Sequence, residues 1–289
     1  MLNFIVNTRS GKGLGGKNIA KIAKYCYKNN IDYTVYITSA PGHATTLAQN
    51  LVDQKADIIV AVGGDGTFHE VLNGITTFEN TRLGFIPSGR GNDFARGMGI
   101  PRDPIEALKV ILRGVPKDAD YIKVGDKRCL NIAGTGLDVD VLQRVAGKHG
   151  KITYLSSLIY CVNHFDPYEI SYTLNGETKE VKAIMLGVCN GNQFGGGLKL
   201  SPESKCDDGI LDVLIMRMPA DKKIMKVLFK FTRGKHLNLP ITTHIKCESI
   251  SIRTKINYPV ELDGEIYDDL KFDCEIVKGG LKTFDLTAQ

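Results

Sequence analysis

The sequence predicts two domains: an α/β N-terminal domain with a mostly parallel sheet, then a mainly antiparallel β domain, with an active site in the cleft between them. Three observations carry this. Up to about residue 122, short β-branched apolar runs alternate with helical patterns, as buried parallel strands and their covering helices do. Beyond it, one strand-like run follows another with turn residues between them. The length of 289 residues also exceeds that of a typical single domain. The expected division is 1–122 and 123–279.

In the first part, Leu2 to Val6 is an apolar strand, and Asn7 to Gly16 a glycine-rich loop. Ile19 to Asn29 is a helix with Ile22, Ala23 and Cys26 on one face. Tyr33 to Ile37 is strand-like, Thr38 to Gly42 a loop and Ala44 to Asp53 a helix. Ile58 to Val62 is a short buried strand that ends at Gly63-Gly64. Phe68, Val71, Leu72 and Ile75 then recur at helical spacing, so a helix begins after Thr67. Leu83 to Ile86 is the next strand; it runs into Pro87-Ser88-Gly89-Arg90-Gly91-Asn92-Asp93. Helix follows at Phe94 to Met98 and again at Ile105 to Arg113. All four loops lie at carboxyl ends of parallel strands, where such sheets bind ligands.

In the second part, Tyr121–Val124, Arg128–Ala133, Glu169–Leu174, Lys179–Cys189, Ile210–Met216, Ile245–Ile252, Tyr258–Leu262 and Lys271–Ile276 read as strands. Asn175-Gly176 signals a hairpin. Helices are expected near Tyr154 to Asn163 and over Asp221 to Gly234.

The mild excess of 37 Lys+Arg over 32 Asp+Glu suits anionic ligands or an anionic membrane surface and is too weak to argue for nucleic acid. Seven scattered cysteines without a Cys-x-x-Cys pair read as reduced thiols of a cytoplasmic protein. Neither a signal peptide nor a run of roughly 20 apolar residues is visible.

The loop Gly63-Gly64-Asp65-Gly66-Thr67 is the chemical centre of the first part. Glycines let the backbone approach a ligand, and a helix N-terminus offers free N–H groups to phosphate. Asp65 is odd beside phosphate, and points either to a bound cation or to a role in shaping the loop. The plainer alternative is a tight turn whose Asp caps the helix. Gly11-Lys12-Gly13-Leu14-Gly15-Gly16, with Asp32 about 20 residues on, also spells a dinucleotide fingerprint. That reading would leave the Gly63 and Ser88 loops idle and finds no hydride-transfer site downstream.

Further motifs accompany these. They are Asn7-Thr8-Arg9-Ser10-Gly11, then Thr38 with Gly42-His43-Ala44, then Glu70 and Asn73, then Gly91-Asn92-Asp93-Phe94-Ala95-Arg96. In the second part come Asn190-Gly191 with Phe194-Gly195-Gly196-Gly197 and Pro202, then Asp207-Asp208-Gly209-Ile210-Leu211-Asp212, then Leu262-Asp263-Gly264-Glu265. Together and in this order they resemble the diacylglycerol kinase catalytic-domain family of lipid kinases, within the superfamily that includes NAD kinases and phosphofructokinases. Gly91 to Arg96 matches the lipid-kinase branch. Two departures stand out. Thr8 replaces a proline, and Arg90 stands where relatives often carry a small hydroxyl residue; an Arg there could meet phosphate instead.

The resemblance implies ATP- and Mg²⁺-dependent phosphorylation of a lipid hydroxyl, first of all that of diacylglycerol to give phosphatidic acid. A sphingoid base, ceramide or phosphatidylglycerol is an alternative acceptor, and a non-catalytic nucleotide-binding regulator is the rival of another class. It assigns nucleotide binding to residues 1–122, to which 280–289 is expected to return, and lipid binding to 123–279. The nucleotide would be held by Asn7, Ser10, Gly11, Thr38, Gly63, Gly64, Asp65, Gly66, Thr67, Glu70, Arg90 and Asn92. Asp263 is the expected base, with Glu265 next in line; the plainer reading of Asp263-Gly264 is a hairpin turn. Asp65 and Asp93 are candidates for Mg²⁺ near the nucleotide. Asp208, with main-chain oxygens of Lys205 and Ile210, would hold a structural Mg²⁺, and an ordinary turn is its alternative. His43 and His69 lie near the loops and are read as packed or solvated.

Asp221 to His236 is basic, through Lys222, Lys223, Lys226, Lys230, Arg233 and Lys235. Its apolar residues Ile224, Val227, Leu228 and Phe231 recur at helical spacing. It could dock on an anionic leaflet at the inner face of the membrane, or pack its stripe on the sheet. Oligomeric state is left open, a homodimer included.

Overall fold

In the computed structural model, residues 1–145, 151–218, 227, 229–231, 233–254 and 258–285 are described. The chain divides into two compact units, Met1–Ala119 with Gly279–Gln289, and Asp120–Lys278.

Unit one contains β1 (Leu2–Val6), α1 (Ser10–Lys28), β2 (Tyr33–Ile37), α2 (His43–Asp53), β3 (Ile58–Gly63), α3 (Asp65–Gly74), β4 (Arg82–Pro87), α4 (Asp93–Gly97) and α5 (Pro104–Arg113). The four strands are parallel, in the order β2-β1-β3-β4, with Val6 beside Val62 and Val62 beside Ile86. β1 is wholly buried and β3 nearly so, as inner strands covered on both faces must be; β2, at the edge, is only half-buried. Ile22 and Cys26 of α1 and Leu108 and Ile111 of α5 pack with Phe4, Val60 and Val62 into one core. α5 shows how locally its ends are set. Asp103 accepts hydrogen bonds from the Ile105 and Glu106 N–H groups, Pro104 opens the helix, and Gly114 closes it at φ +69°.

α1 starts nearer to β1 than the expected helix at Ile19. Its run is interrupted at Gly11, Lys12 and Gly13, all at positive φ, so regular helix resumes at Leu14. The close approach of strand and helix falls at Gly15, where a Cβ would overlap the Asn7 carbonyl.

The chain crosses from one unit to the other within β5 (Pro116–Val124) and again within β16 (Asp273–Phe284). Unit two further holds β6 (Lys127–Cys129), β7 (Ile132–Gly136), α6 (Leu137–Val145), α7 (Lys151–His164), β8 (Tyr168–Leu174), β9 (Glu177–Ala183), β10 (Met185–Cys189) and β11 (Leu211–Met216). β12 (Thr242–Cys247), β13 (Ser249–Thr254), β14 (Val260–Leu262) and β15 (Glu265–Tyr267) complete it. The strands form two six-stranded sheets, β12-β11-β10-β7-β14-β15 and β6-β5-β16-β13-β8-β9. Every registered strand pair in them is antiparallel. Between them lies a core that includes Ile122, Ile132, Leu186, Val213 and Ile252.

Three expected strands are each two strands. Lys179–Cys189 divides at Ile184 into β9 and β10, and Ile245–Ile252 divides at Glu248 into β12 and β13; in both cases the halves belong to different sheets. Arg128–Ala133 divides at Leu130-Asn131. Strand-forming residues continue across each cut, and where the chain leaves one sheet for the other is set by pairing with distant strands. Asn175 and Gly176, at φ +52° and +82°, make the expected two-residue hairpin between β8 and β9. Residues 219–226, 228 and 232 of the basic segment lie outside the described residues, and with them Lys222, Lys223, Ile224, Lys226 and Leu228. Of its described part, Phe231 is buried and Val227 packs against the core, whereas Phe229 is exposed under the Arg233 guanidinium.

Candidate active site

In unit one the carboxyl ends of β1, β3 and β4 bring three loops into contact. From the first, Asn7 donates its side-chain N–H to Thr67 Oγ1 at 3.2 Å and accepts at Oδ1 from Arg9 N–H. Ser10 Oγ bonds the Asn7 carbonyl. Gly11 abuts Ser88 so closely that a Cβ would overlap its carbonyl. A Cβ on Gly89 would lie 2.5 Å from Gly64 Cα, so only a pair of glycines lets the second and third loops touch. Asn18 from α1 reaches Ser88 Oγ at 2.8 Å, and both are buried.

The Gly63 loop leaves its strand through extended Gly64 and enters α3 at Asp65. Gly64 in the N-cap position has no side chain to cap that N-terminus, which is the kind of helix start that offers N–H groups to an anion. Asp65 Oδ1 accepts from Phe94 N–H at the start of α4, tying the second loop to the third. Gly66 lies in the first turn of α3, and Thr67 folds back over Gly63, where a Cβ would overlap it. Thr38 follows β2 and bonds the Val6 carbonyl through both its N–H and its hydroxyl. Glu70 Oε2 accepts from Ala44 N–H, which makes it an anchor for the start of α2. Asn92, at φ +51°, exchanges two 2.9 Å hydrogen bonds with the Gly89 backbone and closes the third loop. Arg90 at its tip is exposed. Of the two histidines, His69 is buried and bonded to Asn73, whereas His43 is half-buried and bonds Ser39.

Among the described residues no group of three or more His, Cys, Asp or Glu is placed to hold a metal ion. Asp65 and Asp93 converge, with their Oδ2 atoms 2.9 and 3.3 Å from where a Cβ of Gly91 would sit. Two carboxylates beside a phosphate cradle suit Mg²⁺, which takes few protein ligands and completes its shell with phosphate and water.

In unit two, Asp263 and Gly264 are the two-residue turn between β14 and β15, at φ +53° and +94°, with Leu262 opposite Glu265. The Asp263 carboxylate turns back onto the Leu130-Asn131 interruption. It accepts from Leu130 N–H at 2.7 Å, Asn131 N–H at 2.8 Å and Ile132 N–H at 3.4 Å, and from the Cys129 thiol. Asn190 braces the same interruption by donating to the Leu130 and Asp120 carbonyls, and the Asn131 carbonyl accepts from the N–H groups of Asn190 and Gly191. The Glu265 side chain is exposed and makes no hydrogen bond or ion pair among the described residues. The backbone N–H groups of residues 130–132 carry no sequence signal, because any residue can supply them.

Asp208 closes an Asx turn, accepting from Ile210 N–H at 3.2 Å, while Asp120 holds the segment through Gly209 N–H and the Cys206 carbonyl. Lys205 is exposed beside it. Next to this turn, buried Asp212 is bonded by Ser204 Oγ, His244 Nε2 and Lys246 Nζ. Burial works to raise its carboxyl, but these donors outweigh it and hold the group below its ordinary value.

A parallel sheet with glycine loops at its carboxyl ends, where such sheets bind ligands, followed by paired antiparallel sheets, defines the class by architecture: an α/β unit joined to a β-sandwich unit. Residues 1–124 match the diacylglycerol kinase catalytic domain, and residues 131–284 the YegS C-terminal NAD kinase beta sandwich-like domain. The chain is 30% identical to a diacylglycerol kinase of Bacillus subtilis over 91% of its own length and 88% of that protein. It is 29% identical to one of Staphylococcus saprophyticus, over 91% and 88% of the two chains. The crystal structure of a diacylglycerol kinase from Bacillus anthracis is similar with a TM-score of 0.80 at 29% identity, covering 99% of this chain and 97% of that one. An NAD kinase from Archaeoglobus fulgidus shares the fold, with a TM-score of 0.52 at 15% identity over 99% and 93% of the chains. The chain belongs to the diacylglycerol kinase catalytic-domain family and is a lipid kinase.

Proposed function

We propose that the protein transfers the γ-phosphoryl group of ATP to the free hydroxyl of diacylglycerol, giving phosphatidic acid and ADP. The observation that carries this reading is the contact of three glycine-bearing loops around the uncapped start of α3 in a chain of this family. The N–H groups of Gly64 to Thr67 and the positive end of the α3 dipole would bind the phosphates. Ser10, Gly11 and Thr38 border that cradle, and Arg90 is long enough to reach a phosphate. Asn7 acts through the Thr67 hydroxyl it holds, and Glu70 and Asn92 through the backbone they hold. Asp65 and Asp93 would hold Mg²⁺, which neutralises charge on the transferring group. Asp208, with the carbonyls of Lys205 and Ile210, is proposed for the second, structural ion.

Of the two expected acids, Asp263 first and Glu265 next, we favour Glu265 as the base. Both Asp263 oxygens already accept backbone N–H groups, which leaves them fewer lone pairs for a substrate proton than an open carboxylate has. Glu265, next but one and exposed, has both oxygens open. As the acceptor oxygen bonds to the γ-phosphorus, the bond from that phosphorus to the bridging oxygen breaks, ADP leaves, and the hydroxyl proton passes to Glu265. Sphingoid bases, ceramide and phosphatidylglycerol carry the same kind of hydroxyl and are the alternative acceptors.

The test is transfer of label from γ-labelled ATP with Mg²⁺ to a mixed lipid extract, by the wild type and by Glu265→Gln. Labelled phosphatidic acid from the wild type alone supports both acceptor and base. A different labelled lipid replaces the acceptor, and no labelled lipid from folded protein that binds ATP overturns the reading. No helix among the described residues is long and apolar enough to cross a membrane. A lipid substrate therefore calls for peripheral contact, which we place on the basic segment ending at His236. Charge reversal at Lys222, Lys223 and Lys226 should weaken binding to anionic vesicles, and unchanged binding would remove that contact.

A further inference from the structure

The sheet that carries the Asp263 turn also buries two carboxyls for which the proposed chemistry has no use. Glu261 on β14 stands opposite Gly134 on β7, and Asp138 is the second residue of α6. A Cβ on Gly134 would overlap Asp138 Oδ2 and lie 3.1 Å from Glu261 Oε1, so both oxygens crowd the bare backbone of that glycine. Only 2% of Asp138 and 3% of Glu261 are exposed. Asp138 Oδ1 accepts from Val139 N–H, whereas Oδ2 has no hydrogen-bond partner among the described residues. Glu261 Oε2 accepts from Gly264 N–H at 2.7 Å, inside the turn between Asp263 and Glu265.

Among the described residues, the charged and titratable groups that face the pair are Asp140 on α6, Asp263 and Glu265 beside the turn, Tyr168 on β8, Tyr258, and the thiols of Cys129 and Cys189. None of these is a cation. Two carboxylates crowded together out of water without a counter-charge cannot both stay ionised. One proton between Oδ2 and Oε1 would give each a partner. Burial pushes Asp138 up to about 7 and Glu261 well above the ordinary carboxylate range, with the charge of Asp138 adding to the second.

We propose that Asp138 and Glu261 share one proton and that, through the Glu261–Gly264 bond, the pair is a positioning device for the turn that presents Glu265. The positioning half rests on the reading of Glu265 as base; the shared proton does not. Gly134 is part of the device, since a side chain there would fill the place of the Asp138 carboxyl.

Two measurements on the whole protein test this. In the infrared, the wild type at pH 6 should show the carbonyl band of a buried protonated carboxyl, and both Asp138→Asn and Glu261→Gln should remove it. A band absent from the wild type, or surviving either substitution, overturns the shared proton whatever the protein phosphorylates. In the kinase assay, Glu261→Ala should lower kcat about 10- to 100-fold with KM for ATP unmoved, because the turn loses its anchor. Glu261→Gln, which keeps an oxygen for Gly264 N–H, should recover most of that loss. Wild-type kcat in Glu261→Ala, or equal loss in both variants, overturns the positioning role. Amide chemical shifts of Gly264 and Glu265 in Glu261→Ala report the turn without turnover, and unmoved shifts overturn it too.

Discussion

Replacing Asp263 by Asn should damage stability, whereas replacing Glu265 by Gln should damage catalysis. An Asn side chain at 263 has one acceptor oxygen where the carboxylate had two. If that oxygen serves Asn131 and Ile132, the new NH₂ faces Leu130 N–H across 2.7 Å and leaves it unsatisfied in a buried place. A buried orphaned donor costs ~1–3 kcal/mol, and each bond to a charged acceptor is worth ~1.5–3 kcal/mol. A loss of about 3 kcal/mol follows, which for a unit of this size lowers the thermal midpoint by about 6–12 °C. Glu265→Gln alters an exposed group with no described partner, so stability should stay within ~0.5 kcal/mol. Its kcat should fall ~10²- to 10⁴-fold if it is the base. Thermal unfolding by circular dichroism and single-turnover lipid phosphorylation, run on both variants, separate the two effects. An Asp263→Asn protein that melts with the wild type but is inactive, beside an active Glu265→Gln, would refute the assignment and return the base to Asp263.

Gly89→Ala should push the second and third loops apart, since its Cβ would sit 2.5 Å from Gly64 Cα; ATP affinity by calorimetry should fall at least about tenfold, as a 1.4 kcal/mol loss requires. Asp103→Ala removes two bonds at the start of α5 and should cost about 1 kcal/mol in urea unfolding, with lipid phosphorylation unchanged. Asp138 holds its proton in the folded protein to about pH 7, against an ordinary value of 3.8. Between those values the folded state binds more protons than the unfolded one, so stability should fall as pH rises through that window, by a few kcal/mol at most. Urea midpoints of the wild type and Asp138→Asn from pH 4 to pH 8 check this, and parallel curves would count against it.

The alternation of apolar strands with helices, and the glycines at the ends of those strands, were legible from residues 1 to 113 because each rests on local chemistry. A buried parallel strand must be apolar throughout, and a loop that passes backbone against backbone must carry glycine. The same rules made Asn175-Gly176 readable as a hairpin. Tertiary structure decided what single runs could not. It cut Lys179–Cys189 and Ile245–Ile252 between two sheets, because pairing with distant strands, and not the local run of strand-forming residues, sets where the chain changes sheet. It also separated Asp263 from Glu265: two acids flanking a glycine look alike in sequence, but one meets the N–H groups of residues more than 130 positions away and the other meets solvent. Glu261 and Asp138 carry no motif between them. Asp138 follows Gly134 by four residues, but only the pairing of β14 with β7 brings Glu261 to the same glycine, and that meeting, which depends on sheet order, gives two ordinary carboxyls their chemistry.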